Sequence, residues 1–315
     1  MTDIRLKRHP LRFYTSLTLA TVALVSMATA LIFIYADSDS VEREKMMPEL
    51  LILFSIALYI LSGYSWYQYF KNIPIIRITD TEIFFNHIAY PLDSITELQL
   101  TGKQPFRYII RFPMEATTIT FSDATTRYIF DDMYVNTWQV KLFLQQKLIE
   151  KIESPVFIAE KSDVPEISNT TIFHTYKGSL LLSLRGISFF VITLFLLYSI
   201  VSKPTISLVC IMSLFLLFWT WGHTRLMHFF MVSEQLLVVR NHILFWQKKI
   251  VSIEDIKEVV FETQGKMPNC LRIITKDFRS TLYPASTLLN KDWFALQNQL
   301  TSYGILVRNE CVQTL

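Results

Sequence analysis

The chain has 315 residues, of which 51% are hydrophobic and 18% charged, and its mean hydropathy is +0.32. Soluble globular proteins carry about 25% charged residues, so the apolar excess indicates membrane helices beside water-exposed parts. With 24 Phe, 14 Tyr, 7 Gly and 3 Cys, the composition excludes a disordered chain, a collagen and a disulfide scaffold. A formal net charge of +3 gives no argument for nucleic-acid binding.

Most of the apolar residues lie in four stretches, each with little or no charge. These are Phe13–Tyr35, Leu50–Phe70, Gly186–Ser202 and Pro204–Gly222. Because about 20 helical residues cross the ~30 Å hydrocarbon core, each stretch is long enough to span a bilayer. We therefore predict two transmembrane hairpins, residues 13–70 and 179–222. The first stretch exceeds the ~7–15 apolar residues of a secretory signal and is predicted to be a retained helix.

Flanking charges predict the orientation. The leader, residues 1–12, carries four basic residues, whereas acidic residues outnumber basic ones in the loop after the first stretch. The leader residues are Arg5, Lys7, Arg8 and Arg12; the loop residues are Asp37, Asp39, Glu42, Glu44 and Glu49 against Arg43 and Lys45. The positive-inside rule places the N-terminus and both soluble segments in the cytoplasm of a multi-pass protein of the inner (plasma) membrane. Three scattered cysteines without a CxxC pair fit a reducing compartment.

Two halves of the sequence match each other in order. Asn86-His87-Ile88 recurs as Asn241-His242-Ile243 at an offset of 155, and residues 92–98 match residues 253–259 at an offset of 161. Further matches at 155 are Ile119 with Ile274, Tyr128 with Tyr283, and Trp138 with Trp293. An ordered series of this kind indicates an internal duplication, with a six-residue insertion near Gln247–Val251 in the second copy.

In both soluble segments, alternating β-branched and aromatic residues predict strands, and a helical period follows. The strands predicted in the first segment are Ile75–Thr79, Ile83–Phe85, Ile88–Leu92, Ile95–Leu100, Tyr108–Phe112, Thr117–Phe121 and Arg127–Phe130, before a helix at Asn136–Lys151. In the second they are Leu236–Val239, Ile243–Trp246, Ile256–Phe261, Leu271–Thr275 and Ser280–Tyr283, before a helix from Asn290 to Ser302. Asn290 is the predicted N-cap.

Six or seven short antiparallel strands followed by one helix, with the Asn-His turns and the Ser252–Val259 strand, resemble the pleckstrin-homology-like (PH-like) domains of bacterial PH-domain membrane proteins. The predicted fold class is thus membrane α plus β, in two repeats. Each repeat is a transmembrane helical hairpin followed by a PH-like β-barrel or sandwich capped by a C-terminal helix. The predicted boundaries are leader 1–12, hairpin 13–70, PH-like domain 71–152, linker 153–178, hairpin 179–222 and PH-like domain 223–310.

No catalytic signature follows from this resemblance, and the chain has no phosphate-binding glycine loop, HExxH or GxSxG motif. We therefore expect neither an enzyme nor a cofactor or metal site. The paired Asn-His at positions 86–87 and 241–242 is interpreted as hairpin turns that mark the repeat, as the tryptophans 138 and 293 mark its helix. Possible contacts to anionic headgroups are Lys248, Lys249, Lys276 and Arg279.

These observations predict a membrane scaffold or regulatory protein whose two cytosolic domains bind a protein partner or each other. The expected partners are the lipid bilayer and a protein, including a second copy, but not nucleic acid. One alternative is a subunit of a transport or export system, in which solute flux would depend on Ser62, Gly63 or Ser65. Another is an anionic-lipid sensor that acts through the second domain.

Overall fold

The computed structural model describes residues 3–37, 48–108, 111–152, 172–202, 205–263 and 268–311. The chain forms two compact units, residues 1–157 and 158–315, and combines apolar helices with several antiparallel sheets. Most of the acidic loop that supports the predicted orientation, the predicted helix start at Pro204, and most of the predicted linker lie outside the described residues.

The helices of unit 1 begin with a π-helical turn, Pro10–Thr15, that continues into α1 (Ser16–Asp37). Helix α2 (Pro48–Asn72) packs against α1. Polar contacts between them include Trp66 to Thr21 (2.7 Å), Ser55 to the Ala28 carbonyl (2.7 Å), and Tyr59 to Thr29 (2.9 Å). Apolar side chains point outward along both helices, as a lipid-facing surface requires.

Two sheets and a third helix follow in unit 1. The first has the order β1 (Asp3–Arg5), β2 (Ile76–Thr79), β3 (Glu82–Phe85), β4 (Ile88–Pro91). In the second, the long β7 (Arg111–Phe121) pairs with β5 (Ile95–Gln99), β6 (Lys103–Arg107) and β8 (Thr126–Phe130). Helix α3 (Thr137–Leu144) ends in a π-helical turn and buries Val140, Phe143 and Leu144.

Unit 2 contains the apolar helices α4 (Leu184–Ser202) and α5 (Ile206–Thr224) and two sheets. The first sheet has the order β12 (Lys248–Ser252), β11 (Leu236–Asn241), β10 (His228–Val232), β9 (His174–Tyr176). The second has the order β15 (Ser280–Pro284), β14 (Asn269–Thr275), β13 (Ile256–Thr263), β16 (Leu306–Asn309), with β16 parallel to β13. Helix α6 (Asn290–Ser302) places Trp293, Leu296 and Leu300 in the core.

In both units the strand that precedes the helical pair is hydrogen-bonded to the strand that follows it. Strand β1 pairs antiparallel with β2, with Ile4 opposite Ile78. Strand β9 pairs in the same way with β10, with Thr175 opposite Met231. The segments predicted as leader and linker therefore each contribute a strand, and each helical pair is an insertion between two neighbouring strands of one sheet.

Pairing registers align the two units residue by residue. The buried pair Ile78 and Ile83 corresponds to Val232 and Leu237, an offset of 154. In unit 1 Ile88 lies opposite Phe85, and in unit 2 Lys249 lies opposite Val239, the residue that corresponds to Phe85. Ile88 therefore corresponds to Lys249, and the offset of this next strand is 161. Both units carry the same register shift in the following strand, between Ile95 and Glu97 and between Ile256 and Glu258.

The inserted length in unit 2 is therefore seven residues (161 against 154), not the predicted six. Seven extra residues in unit 1 restore the offset of 154 before β7, where Ile119 corresponds to Ile273 rather than Ile274. Tyr128, opposite Thr118, corresponds to Leu282, opposite Arg272, rather than to Tyr283. Identity matching selected residues one position away because adjacent β-branched and aromatic residues are interchangeable in such patterns.

Several local predictions are corrected. Ile243–Trp246 is a loop, not a strand, and the strand begins at Lys248. Asn290 is the first residue of α6 rather than its cap, and the Asp292 carboxylate accepts the Leu289 N–H at 3.0 Å. Trp138 is half-buried, whereas Trp293 lies in the core. The predicted helix at 290–302 is confirmed.

Three helices among the described residues are long and apolar enough to cross a membrane: Pro10–Asp37, Glu49–Asn72 and Leu184–Ser202. In the fourth apolar helix, α5, the side chains are described without a gap only over Val209–Thr224, which is too short to show a membrane span, so its crossing stays a prediction. Only 11%, 22% and 17% of the residues in the most apolar parts of these three helices are buried, so most of their apolar surface is exposed.

The turn between β3 and β4 yields a stability prediction. Asn86 has φ of +57°, and its side-chain Oδ1 accepts the Ile75 N–H at 2.9 Å. Asn86→Gly keeps the left-handed backbone but loses the bond, whereas Asn86→Ala loses the bond and adds about 1–2 kcal/mol of strain. In detergent, the thermal midpoint of Asn86→Ala should therefore lie below that of Asn86→Gly, and Gly below wild type. Equal midpoints for the two variants would contradict the turn geometry.

Candidate functional site

The first sheet of each unit ends in an edge strand, β4 in unit 1 and β12 in unit 2. Two backbone bonds fix which residues of β4 face outward: Asn86 N–H to Ile75 and Leu92 N–H to Thr81. Since antiparallel pairs alternate, Ile88 and Tyr90 bond to β3, and the backbone groups of Ala89 point to the open side of the sheet. The corresponding residue of β12 is Ile250.

The two edges differ in chemistry. Strand β4 is Ile-Ala-Tyr-Pro, carries no charge, and leaves 53% of Ile88 exposed. Strand β12 begins with exposed Lys248 and Lys249. Lysine and proline on an edge strand both discourage pairing with another chain, so Pro91 limits the part of β4 that can accept a strand to residues 88–90, which are uncharged. Of the two edges, β4 is therefore the better suited to accept an added strand.

Side chains of the second sheet hold β4 in place. The Tyr90 ring stacks on Phe121 with centroids 4.2 Å apart, and Arg127 donates from Nη2 to the Tyr90 hydroxyl at 2.8 Å. The Arg127 guanidinium also lies 5.6 Å from the centroid of the Tyr90 ring. These contacts hold the Tyr90 side chain of β4 in place, while the hydrogen-bonding edge of β4 that points away from β3 stays at the surface.

The structure does not bring the four basic candidates of unit 2 together. Lys248 opposes Arg240 at the start of β12, next to the loop 242–247. Lys276 and Arg279 lie in the β14–β15 turn, which contacts Asp255 beyond the opposite end of β12, through the Lys276 N–H (2.8 Å). Arg279 pairs with Asp277 at 2.9 Å. Lys248 and Lys249 are neighbours in β12, where Lys248 shares a sheet face with its cross-strand partner Arg240 and Lys249 projects to the other face.

The two Asn-His pairs have different environments. Asn86-His87 forms the two-residue turn between β3 and β4. Asn241 instead ends β11 and is buried; its Nδ2 donates to the Thr224 carbonyl at 2.6 Å. Its Oδ1 accepts two N–H groups of the following loop. By register Asn86 corresponds to Arg240, so the second Asn tethers a loop to the end of α5 rather than forming the turn.

Each histidine near the end of α5 has a backbone carbonyl within hydrogen-bond distance of one ring nitrogen. His223 Nδ1 lies 3.1 Å from the Trp219 carbonyl, and His228 Nδ1 lies 2.9 Å from that of Pro284. His242 Nε2 lies 2.9 Å from the Lys177 carbonyl and 3.0 Å from the Thr287 hydroxyl. Across the described ranges, no group of three His, Cys, Asp or Glu is arranged to hold a metal ion.

Sequence reasoning missed two buried ion pairs. Lys141 Nζ lies 2.6 Å from an Asp131 carboxylate oxygen, and Arg272 lies 2.8 Å from that of Glu262. A further carboxylate, Asp132, is paired with Arg12 next to α1. The partners are 10 residues or more apart, so no local spacing signals them. These ion pairs hold their helices and strands together, and each charged side chain is bonded to its partner.

No protein family, curated protein or solved structure matches this chain.

Two half-buried imidazoles, those of His228 and His242, predict how unit 2 responds to pH. Burial lowers the pKa of His228 and of His242 below the ordinary value of 6.5. The folded state then binds fewer protons than the unfolded state, so stability is lost as pH falls from about 6.5 toward the lowered values. We expect the thermal midpoint to drop between about pH 7.5 and pH 5, and to drop less in His228→Gln/His242→Gln.

At about pH 7.5 both wild-type imidazoles are neutral in the folded and in the unfolded state. The difference in thermal midpoint between wild type and the double variant at this pH therefore reports the loss of their hydrogen bonds alone. Identical pH dependence in wild type and the double variant would contradict the assignment.

Proposed function

We propose that this chain is a non-enzymatic scaffold or regulatory protein of the inner membrane that presents two PH-like domains to the cytoplasm. In this proposal each unit is one copy of a duplicated element, a membrane hairpin inserted into a small β domain. The observation that carries the proposal is the pairing of β1 with β2 and of β9 with β10 across the helical pairs.

This pairing supports an anchoring role for the helices. One strand lies before each helical pair and its partner strand lies after it, so both ends of the hairpin are fixed in one sheet. The domain is therefore held close to the helix ends. Matching registers, and the same register shift at Ile95 and Ile256, support duplication. Two sheets with a helix after the last antiparallel strand support the PH-like interpretation, although in unit 2 a parallel strand, β16, follows the helix.

The partner we propose is a protein segment that adds to β4 as a further strand. The outward backbone groups of Ala89 would bond to it, and the exposed Ile88 side chain would contact its side chains. Lys248 and Lys249 on the equivalent edge argue for one such site, in unit 1, rather than two.

The transport alternative gains no support from the helices. Ser65 donates to the Leu61 carbonyl at 2.7 Å and accepts from the Tyr108 hydroxyl at 2.8 Å. Ser55 is likewise bonded, to the α1 backbone. These serines join α2 to its neighbours, so their replacement would change packing as well as any flux.

A photocrosslinking experiment tests the β4 site. With p-benzoylphenylalanine at position 88, irradiation of intact cells should give one discrete adduct. Ala89→Pro in the same chain should abolish it, because proline removes the outward N–H while leaving the bonds to β3.

Positions 249 and 250 of β12 give the matched control: the photoreactive residue at Lys249 should give no such adduct, and Ile250→Pro should leave the adduct at position 88 unchanged. An adduct at 88 that survives Ala89→Pro, or no adduct at all, would refute strand addition at this edge.

A further inference from the structure

The loop 242–247 of unit 2 exposes two large aromatic side chains. Phe245 is 73% exposed and Trp246 66%, and their rings meet edge to face at 5.0 Å. The exposed residues Lys248 and Lys249 follow after Gln247. Aromatic residues beside basic ones are the composition that binds the interface of an anionic bilayer.

This loop lies at the end of the apolar helix α5. Asn241 is bonded to the carbonyl of Thr224, the last residue of α5, at 2.6 Å, and the His242 N–H donates to the Met227 carbonyl at 3.0 Å. Phe245 is four residues beyond Asn241, so the chain allows at most about 14 Å between them. Trp219 and Trp221, typical of the headgroup region, occupy the last turns of the same helix.

Unit 1 has its own extra length at the same end of its fold. The lengthened β6–β7 hairpin reaches α2, where Tyr108 contacts Ser65 at 2.8 Å and the Tyr108 and Tyr69 rings lie 5.2 Å apart. Asn72, the last residue of α2, donates to the Arg107 carbonyl. Both length differences between the units therefore add chain beside the ends of the apolar helices.

We propose that the loop 242–247 is a membrane-contacting element. Phe245 and Trp246 enter the headgroup region of the cytoplasmic leaflet, and Lys248 and Lys249 bind anionic lipid phosphates. This inference rests on the proposed membrane insertion of α5. It gives unit 2 a lipid contact that unit 1, with a two-residue turn at the equivalent position, lacks. The occupant of this surface is the bilayer, not a protein.

Site-directed fluorescence on the full chain tests the inference. The three native cysteines are replaced (Cys210→Ser, Cys270→Ala, Cys311→Ser), and a nitrobenzoxadiazole label is attached at Trp246→Cys. Two matched labels use Lys276→Cys, in the exposed turn at the far end of β12, and Trp221→Cys, exposed on α5. The protein is reconstituted in nanodiscs of phosphatidylcholine and phosphatidylglycerol containing a headgroup-nitroxide lipid.

We expect quenching at positions 221 and 246 to exceed that at 276 by about threefold or more. Lys248→Gln/Lys249→Gln should reduce quenching at 246 in anionic nanodiscs by about twofold and have little effect in pure phosphatidylcholine. Raising the salt concentration should weaken the anionic component in the same way.

Each of the other outcomes would overturn a specific part of the inference or of the membrane proposal. Quenching at 221 but not at 246 overturns the inference and leaves the membrane proposal standing. A blue-shifted label at 246 without lipid quenching means that protein covers the loop, which also overturns it. Lack of quenching at both 221 and 246 overturns the membrane insertion of α5 together with the inference. Equal quenching in the lysine variant overturns the role of the two lysines.

Discussion

The architecture depends on one interaction, the antiparallel pairing of a strand before each apolar helical pair with the strand after it. In unit 1 this pairing is reinforced by Asp3, which accepts from Arg77 at 2.7 Å, a bond that lowers the pKa of the carboxyl. Without it, a hairpin and a domain would be joined only by one chain segment. With it, two chain segments enter the same sheet, and the domain cannot swing away from the helix ends without breaking a ladder.

The two units share this strand pairing and differ in their surface turns and edge strands. Unit 1 has a tight turn at Asn86 and an uncharged edge strand, whereas unit 2 has a loop with two exposed aromatic residues and a lysine-bearing edge strand. Under the proposed duplication, this is the expected division: the core positions stay apolar in both copies, and the surface of each copy acquires its own contacts. In the proposed function, one copy carries an edge strand that binds a peptide and the other carries a lipid contact.

Much of the helical and strand content was predictable because it depends on local periodicity. The apolar stretches, the helix at 290–302 and most strands of the sheets in both units follow from it. Strands β1 and β9 were not predictable, because Asp-Ile-Arg and His-Thr-Tyr are too short to show a period and are stabilised by partners that are 54 to 76 residues away in the sequence. The turn at Asn86 was predictable from its residue type, but the tether made by Asn241 was not, since it depends on Thr224 of a distant helix end.

The most direct test of the account is a disulfide between positions 5 and 77. Arg5 and Arg77 oppose each other in β1 and β2 at a site where the Cα atoms of antiparallel strands are ~4.5 Å apart, within disulfide range. In Arg5→Cys/Arg77→Cys lacking the native cysteines, trypsin added outside spheroplasts should cut between α1 and α2 after mild oxidation. The N-terminal fragment should then stay joined to the rest on a non-reducing gel and separate on a reducing one. Release of the fragment without reductant, or a chain that trypsin does not cut between these helices from outside, would contradict a helical hairpin inserted into a cytoplasmic β domain.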